Sequence, residues 1–267
     1  MPSPRAVRAA LMCGALVGCA KNDLPLRLGT TFTVEQSGVL AVLDSLAKPA
    51  PIAVIVGPSG QILAAAASGD LDVVITHAPS LERRLLVAPG HAELECPFIA
   101  SRFAVVGPAA DPARVAAARS AADAFRRIAA VGGPFVSRGD SSGTHVKERA
   151  LWAEAGIAPP PSWYVESGAD QATTLHLADD RNAYALADLP TYAKLAGLRL
   201  RALFTADTAL SNPYTLFVVK TPDPHPAAAA FATWAMDTAR ARILSLRLAD
   251  RTPAFSARAD ECATATP

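Results

Sequence analysis

The sequence has almost no excess of charge of either sign. Its 267 residues include 25 basic and 24 acidic side chains, for a formal net charge of +1, and Lys and Arg never form a run. Proteins that bind nucleic acid need a surplus of Lys and Arg to neutralise phosphates. The charge balance therefore excludes nucleic acid as the expected partner.

Long hydrophobic runs are also missing. Beyond the N-terminal region, no segment has 18 apolar residues without a charge or a proline, so no spanning helix is predicted. In the N-terminal region, two arginines precede the short apolar stretch of residues 9–17, and Cys19 follows closely. This order is typical of a bacterial lipoprotein signal over residues 1–19, with Cys19 as the lipidated new N-terminus. A plain secretory signal cleaved near Ala20 is the alternative. Either signal predicts export to the periplasm or cell envelope, and lipidation predicts a membrane anchor.

Cysteine is scarce in the rest of the chain. Only Cys96 and Cys262 remain outside residues 1–19. An exported protein lies in an oxidising compartment, where two cysteines can form a disulfide. The sequence leaves this pairing open, because it does not show whether their Cα atoms lie close together. No second pair of cysteines is present to complete a metal site, and no metal site is expected.

Strand and helix patterns alternate along the chain, which predicts an α/β fold with parallel sheets. Three turns rich in Ser, Thr and Gly each follow a predicted strand, at residues 30–33, 57–61 and 137–144. Ligands of such sheets lie beyond the carboxyl ends of the strands. Ser and Thr at a helix start are most often simple N-caps, worth about 1 kcal/mol. Three such turns, one with an arginine, favour a shared binding site.

Residues 134–155 are the most informative stretch. An apolar run leads into a small-residue turn that contains Arg138, and a helical pattern follows from Val146. Backbone N–H groups and hydroxyls at the positive end of a helix form an anion site, and Arg138 adds five donors in a fixed fork. Asp140 would repel an anion, so we expect it to fix Arg138 or to cap the helix. His145 is expected to be a neutral outer donor or to be exposed. His77 follows a buried strand and is expected to pack, with a position facing the cleft as the alternative.

Several segments stand in an order that is typical of one family. They are Gly29-Thr30-Thr31-Phe32-Thr33, Gly69-Asp70-Leu71-Asp72-Val73, His77-Ala78-Pro79, Phe135-Val136-Ser137-Arg138-Gly139-Asp140, Ser142-Gly143-Thr144-His145, Trp163-Tyr164 and Asn212-Pro213-Tyr214. On these segments, the chain resembles the tungstate-binding proteins of ABC-type tungstate uptake systems over almost its whole mature length. The resemblance implies a type II periplasmic-binding-protein fold, with a ligand cleft between two α/β lobes.

The resemblance also implies an organisation and a function. Lobe 1 is expected to hold residues 24–102 and 206–267, and lobe 2 residues 103–205. The protein is expected to be a monomer and not an enzyme, to need no cofactor, to bind its metal only as an oxyanion, and to deliver it to an ABC permease. Asp140 and His145 are expected just outside the ligand contacts. The residues that the resemblance implies line the anion are Thr30, Thr31, Thr33, Ser59, Arg138, Ser142, Gly143 and Thr144.

Three departures bear on which anion is bound. Phe32 and Thr33 stand where the family usually has Thr and Ser, Ser141 stands where it usually has Asp, and Pro58 precedes Ser59. We expect tungstate first, molybdate second and another small oxyanion third. A site made only of donors rejects an anion that keeps a proton near pH 7, as phosphate does, and Asp140 is the nearby acceptor that would compromise this rejection.

Two alternatives remain. Residues 139–143 also fit G-x-S-x-G, the nucleophile elbow of serine hydrolases, with Ser141 as nucleophile, Asp188 or Asp207 as acid and His225 as base. His225 lies in a proline-rich loop, and no His-Gly-Gly-Gly-like segment precedes the motif, which weighs against this interpretation. The other alternative is a scaffold lipoprotein that has lost its ligand.

Overall fold

The computed structural model describes residues 24–259 and 261–266. The predicted signal of residues 1–19, with Cys19, lies outside the described residues, so lipidation stays a prediction. Within the described ranges, no helix has the length and apolar character needed to cross a membrane.

Strands and helices alternate along the described chain, as predicted. The strands are β1 Leu26–Thr31, β2 Ile52–Gly57, β3 Val73–Thr76, β4 Ala92–Gly107, β5 Phe135–Ser137, β6 Tyr164–Glu166, β7 Ala185–Asp188, β8 Arg201–Phe204, β9 Ser211–Val219, β10 Ser256–Ala257 and β11 Ala263–Thr264. The α-helices are α1 Phe32–Gln36, α2 Val39–Ser45, α3 Ser59–Ala67, α4 Pro79–Glu82, α5 Ala121–Ala130, α6 Gly143–Ala155, α7 Gln171–Asp180, α8 Leu189–Lys194, α9 Ala228–Trp234 and α10 Arg240–Ile243. π-helical segments continue α4 over Arg83–Val87 and join α9 to α10 over Ala235–Ala239.

The large sheet is mixed, whereas the sequence predicted parallel sheets. β1 pairs in parallel with β2 and β3. β9 is antiparallel to both β3 and β4, and β4 is antiparallel to β7 and β8 as well. The sequence pattern marks these segments as extended but carries no information on strand direction. The prediction therefore failed for the two long strands, β4 with 16 residues and β9 with 9.

The apolar core consists of separate clusters that are built from different parts of the chain. Two clusters combine residues 26–99 with residues 214–255, and two others are built from residues 103–210. β4 contributes to both sets, through Phe98 and Ile99 to the first and through Phe103 and Val105 to the second. The packing partners of this strand therefore change between Ile99 and Phe103.

Each of the three polar turns joins a strand to a helix, as predicted. β1 leads into α1, β2 into α3, and β5 into α6. Helix α6 begins at Gly143, three residues before the predicted start at Val146. The reason is a cap, because the Ser142 side chain accepts a hydrogen bond from the His145 backbone N–H at 3.2 Å.

A disulfide joins Cys96 of β4 to Cys262, which settles the pairing that the sequence left open. The tail that contains Cys262 adds the short strands β10 and β11, both antiparallel to β4. The C-terminal tail is therefore held against the sheet covalently and by hydrogen bonds.

Candidate oxyanion site

Arg138 is the buried charge at the centre of the candidate site, with 2% of its side chain exposed. Its Nη2 pairs with Asp140, its Nη1 donates to Thr33 Oγ1 at 3.4 Å, and its Nε donates to the Ala169 carbonyl at 3.3 Å. Burial lowers the pKa of Arg138, and the Asp140 carboxylate opposes this shift. A guanidinium keeps its proton in proteins, so Arg138 carries a positive charge into the interior.

Asp140 holds both Arg138 and the turn before α6. One carboxylate oxygen pairs with Arg138, and the other accepts a hydrogen bond from the Ser142 N–H at 3.1 Å. Of the two roles considered from the sequence, the structure gives Asp140 that of fixing Arg138, while Ser142 caps α6. With both oxygens engaged, Asp140 has less capacity to serve as an acceptor for a protonated anion.

The turns before α3 and α6 are in direct contact. The Gly143 N–H donates to Ser59 Oγ at 3.1 Å. A Cβ added at Gly143 would lie 2.6 Å from His77 Nδ1 and 2.7 Å from the His77 carbonyl oxygen. Gly143 therefore occupies a place where only a glycine allows this approach.

The hydroxyls implied as anion contacts are all buried, but they are not equivalent. Thr30 donates its proton to the Ile75 carbonyl at 3.1 Å, which leaves no proton for a ligand. Thr144 Oγ1 has no hydrogen-bond partner among the described residues. Four others accept a backbone or guanidinium N–H and so keep their own O–H proton for donation, namely Thr31, Thr33, Ser59 and Ser142.

His145 braces the turn that precedes its helix. Its Nδ1 accepts a hydrogen bond from the Ser141 N–H at 3.1 Å, and its Nε2 lies 3.9 Å from a Glu166 carboxylate oxygen. Burial lowers the pKa of His145, while the charges of Asp140 and Glu166 oppose the shift. The structure places His145 beside the turn that precedes α6.

Ser141 adopts a left-handed backbone conformation with φ of 59°. This conformation is strained for a residue that carries a Cβ atom. Replacing Ser141 with Gly should raise the free energy of unfolding by about 0.5–1 kcal/mol, because glycine adopts this conformation without a Cβ clash. Chemical denaturation would measure the change. The matched control is Ser80→Gly in α4, an exposed serine with ordinary helical geometry, which should lower stability instead. A loss of stability in both variants would contradict the strain at Ser141.

The structure does not assemble the triad of the hydrolase alternative. The His225 ring nitrogens contact the Leu24 carbonyl at 2.9 Å and the Ala227 N–H at 3.1 Å. Asp188 accepts hydrogen bonds from Ser101 and Thr191, and Asp207 accepts from the N–H groups of Ala121 and Ala209. None of these partners is Ser141 or another member of the triad.

Comparison with known proteins identifies the family. Residues 21–239 match the model of the PBP superfamily domain. A tungstate-binding protein of Peptoclostridium acidaminophilum is 33% identical over 223 residues, which are 77% of this chain and 78% of that protein. The chain belongs to the PBP superfamily and, within it, to the tungstate-binding proteins.

A solved structure and a second relative agree with this membership. The crystal structure of the tungstate ABC transporter from Geobacter sulfurreducens superposes on this chain with a TM-score of 0.70. The two sequences are 35% identical, and the match covers 80% of this chain and 94% of the Geobacter chain. The family has the type II periplasmic-binding-protein fold, as the sequence predicted. A relative from Haloferax volcanii is named as an anion-binding protein of an ABC transporter. It is 36% identical over 203 residues, which are 73% of this chain. The match covers 59% of that protein's length. The family is one of solute-binding transport proteins.

Proposed function

We propose that the protein captures a tetrahedral oxyanion outside the cytoplasm, tungstate first and molybdate second, and delivers it to an ABC permease. The observation that carries the proposal is the meeting of three strand–helix turns, one of which carries the buried charge of Arg138. The relatives named for tungstate or anion binding support the same ligand class.

The donors around Arg138 suit a dianion stripped of water. A buried charge costs several kcal/mol unless it is paired and hydrogen-bonded. Arg138 supplies one positive charge, and five hydroxyls supply donors without adding more charge. Tungstate and molybdate have longer bonds to oxygen than sulfate or phosphate. We therefore expect size and donor geometry to select the larger anions.

We propose that the site lies between two lobes, residues 24–102 with 206–267 and residues 103–205. The change of packing partners along β4 between Ile99 and Phe103 supports this division. Under it, the hydrogen bond from Gly143 to Ser59 and that from Arg138 to Thr33 cross from one lobe to the other. An anion held by both lobes would favour the closed state, because it binds that state more tightly.

The proposed location is the cell envelope, with Cys19 as a lipid anchor and a monomeric protein beside its permease. The disulfide between Cys96 and Cys262 supports an oxidising compartment. The export signal and the anchor would be checked by mass spectrometry of the protein purified from membranes.

Isothermal titration tests the proposed function. The protein would be prepared without residues 1–19, a truncation that removes none of the described residues. It would be titrated with tungstate, molybdate, sulfate and phosphate in turn. We expect one-to-one binding of tungstate or molybdate that is at least about a hundredfold tighter than binding of sulfate or phosphate, or ~2.7 kcal/mol. Absence of heat with all four anions would contradict the proposal and favour the scaffold alternative. An esterase assay of Ser141→Ala against the unmodified protein would then test the hydrolase alternative.

A further inference from the structure

His77 is buried at the contact between the turn after β3 and the start of α6. Only 2% of the residue is exposed. Its ring stacks on Tyr214 with centroids 5.3 Å apart, and it approaches Gly143 so closely that a Cβ there would lie 2.6 Å from its Cε1. The adjacent ring atom, Nε2, has no hydrogen-bond partner among the described residues. Thr144 Oγ1, one residue along α6 from Gly143, is buried and unpartnered as well.

The hydrogen-bond network behind His77 fixes its tautomer. Asn212 Nδ2 donates to Asp188 Oδ1 at 3.0 Å and to Ser101 Oγ at 3.1 Å, which orients the Asn212 amide. Its Oδ1 therefore faces His77 Nδ1, at 3.0 Å. An amide oxygen only accepts hydrogen bonds, so Nδ1 carries the proton and Nε2 of the neutral ring is a bare acceptor.

The surroundings of His77 keep the ring neutral while no anion is present. Burial, with a smaller contribution from the charge of Arg138, lowers the pKa of His77 to about 4, although Asn212 and Asp140 oppose the shift. A bare nitrogen lone pair beside an oxyanion is repulsive, and a single proton between the two atoms turns the repulsion into a hydrogen bond. A dianion next to the ring would also offset the charge of Arg138. Among the described residues, the titratable or charged groups near His77 or its hydrogen-bond network include Arg138, Asp140, Glu82, Asp188 and Tyr214.

We propose that His77 Nε2 contacts the bound oxyanion through one shared proton, so that capture of tungstate or molybdate takes up a proton from solvent. The proton comes from water or buffer and lies between Nε2 and one anion oxygen, and no bond to the metal atom forms or breaks. This inference rests on the proposed function. It also corrects the expectation of a site made only of donors, because His77 adds a group that accepts or donates according to the proton.

The direction of the pH dependence follows from this contact. The bound anion raises the pKa of His77 above its value of about 4 in the empty site. Between the two pKa values, the complex holds a proton that the empty protein lacks, so binding tightens as pH falls and weakens as pH rises. The dissociation constant should rise by up to about tenfold per pH unit in this window.

Calorimetry in two buffers of different ionisation enthalpy would count the protons. With molybdate near pH 7, we expect uptake of about one proton per anion by the unmodified protein and about none by His77→Gln. A Gln amide group can donate without titrating, so this variant should still bind, with an affinity that hardly changes between about pH 6.5 and 8.5. The matched control is His176→Gln, an exposed histidine of α7, which should behave like the unmodified protein.

The difference between the proteins isolates His77 from other groups. Burial raises the pKa of Glu82 and of Glu148 to about 7, and both remain in the unmodified protein and in the variant. ¹⁵N spectra of labelled histidines add a readout without any variant. We expect the His77 ring to change from a proton on Nδ1 alone to protons on both nitrogens, or to a strongly shifted Nε2, when molybdate is added.

The outcomes separate this inference from the proposed function. Binding of molybdate with no proton uptake, or with the same uptake in His77→Gln, would overturn the shared proton and leave the oxyanion function intact. An unchanged Nε2 resonance would do the same, even if the variant failed to fold. Absence of binding of both tungstate and molybdate to the unmodified protein would overturn both.

Discussion

Replacing Arg138 with Ala should weaken tungstate binding about a thousandfold, or ~4 kcal/mol. Removal of one partner of a buried, hydrogen-bonded charge pair at a binding interface lowers the binding free energy by an amount of this size. The variant removes the buried positive charge that we propose faces the anion. It also leaves the Asp140 carboxylate without its partner in the same buried region. Titration calorimetry with tungstate would measure the loss.

The two contributions can be separated with Asp140→Asn. If part of the loss comes from the unpaired carboxylate, the double variant should bind tungstate more tightly than Arg138→Ala alone. The matched control is Arg127→Ala, because Arg127 forms a partly exposed pair with Asp123 at 2.9 Å in α5. This control should change affinity by less than about twofold. A loss of less than about tenfold, or ~1.4 kcal/mol, for Arg138→Ala would show that Arg138 does not contact the anion.

Adding a single methyl group at Gly143 should block closure of the site. The new Cβ of Gly143→Ala would lie 2.7 Å from the His77 carbonyl oxygen, which is backbone and cannot rotate away. We expect affinity for tungstate to fall at least about a hundredfold, or ~2.7 kcal/mol. Alanine favours helix formation more than glycine does, so helix α6 itself should not be weakened.

Gly60 provides the matched control for this prediction. It also lies at the start of a helix facing the same contact, and a Cβ there would lie 3.7 Å from the Ser141 carbonyl oxygen, an ordinary van der Waals distance. Gly60→Ala should therefore bind with an affinity within about threefold of the unmodified protein. Small-angle scattering should show contraction on addition of tungstate for Gly60→Ala and none for Gly143→Ala. Contraction in both variants would contradict the steric role of Gly143.

The sequence predicted the parts of the fold and site that depend on local pattern. The alternation of strands and helices, the three polar turns and the placing of Arg138 next to Asp140 all follow from short segments of sequence. The family was also recognised from the sequence, and the comparisons confirm it. These features are local because each depends on turn chemistry, capping or periodicity over a few residues.

The hydrogen-bond partners of site residues that depend on long-range contacts could not be predicted from the sequence. The hydroxyl of Thr30 donates its proton to the carbonyl of Ile75, 45 residues further along the chain. Thr30 is therefore a poorer anion donor than the resemblance implies. His77 was predicted to pack, and its hydrogen bond to Asn212 spans 135 residues. Neither partner follows from a local pattern. The unpartnered state of Nε2 becomes visible only once the chain is folded.

The link between Cys96 and Cys262 also has a consequence for the order of events during synthesis. The two thiols are separated by 166 residues, which a ribosome adds in about 10–30 s at typical rates. In an oxidising compartment entered during synthesis, the thiol of Cys96 would therefore meet oxidants and other thiols well before its partner exists, which would favour mispairing. Entry after synthesis would present both thiols almost together, so the correct bond needs fewer repair steps.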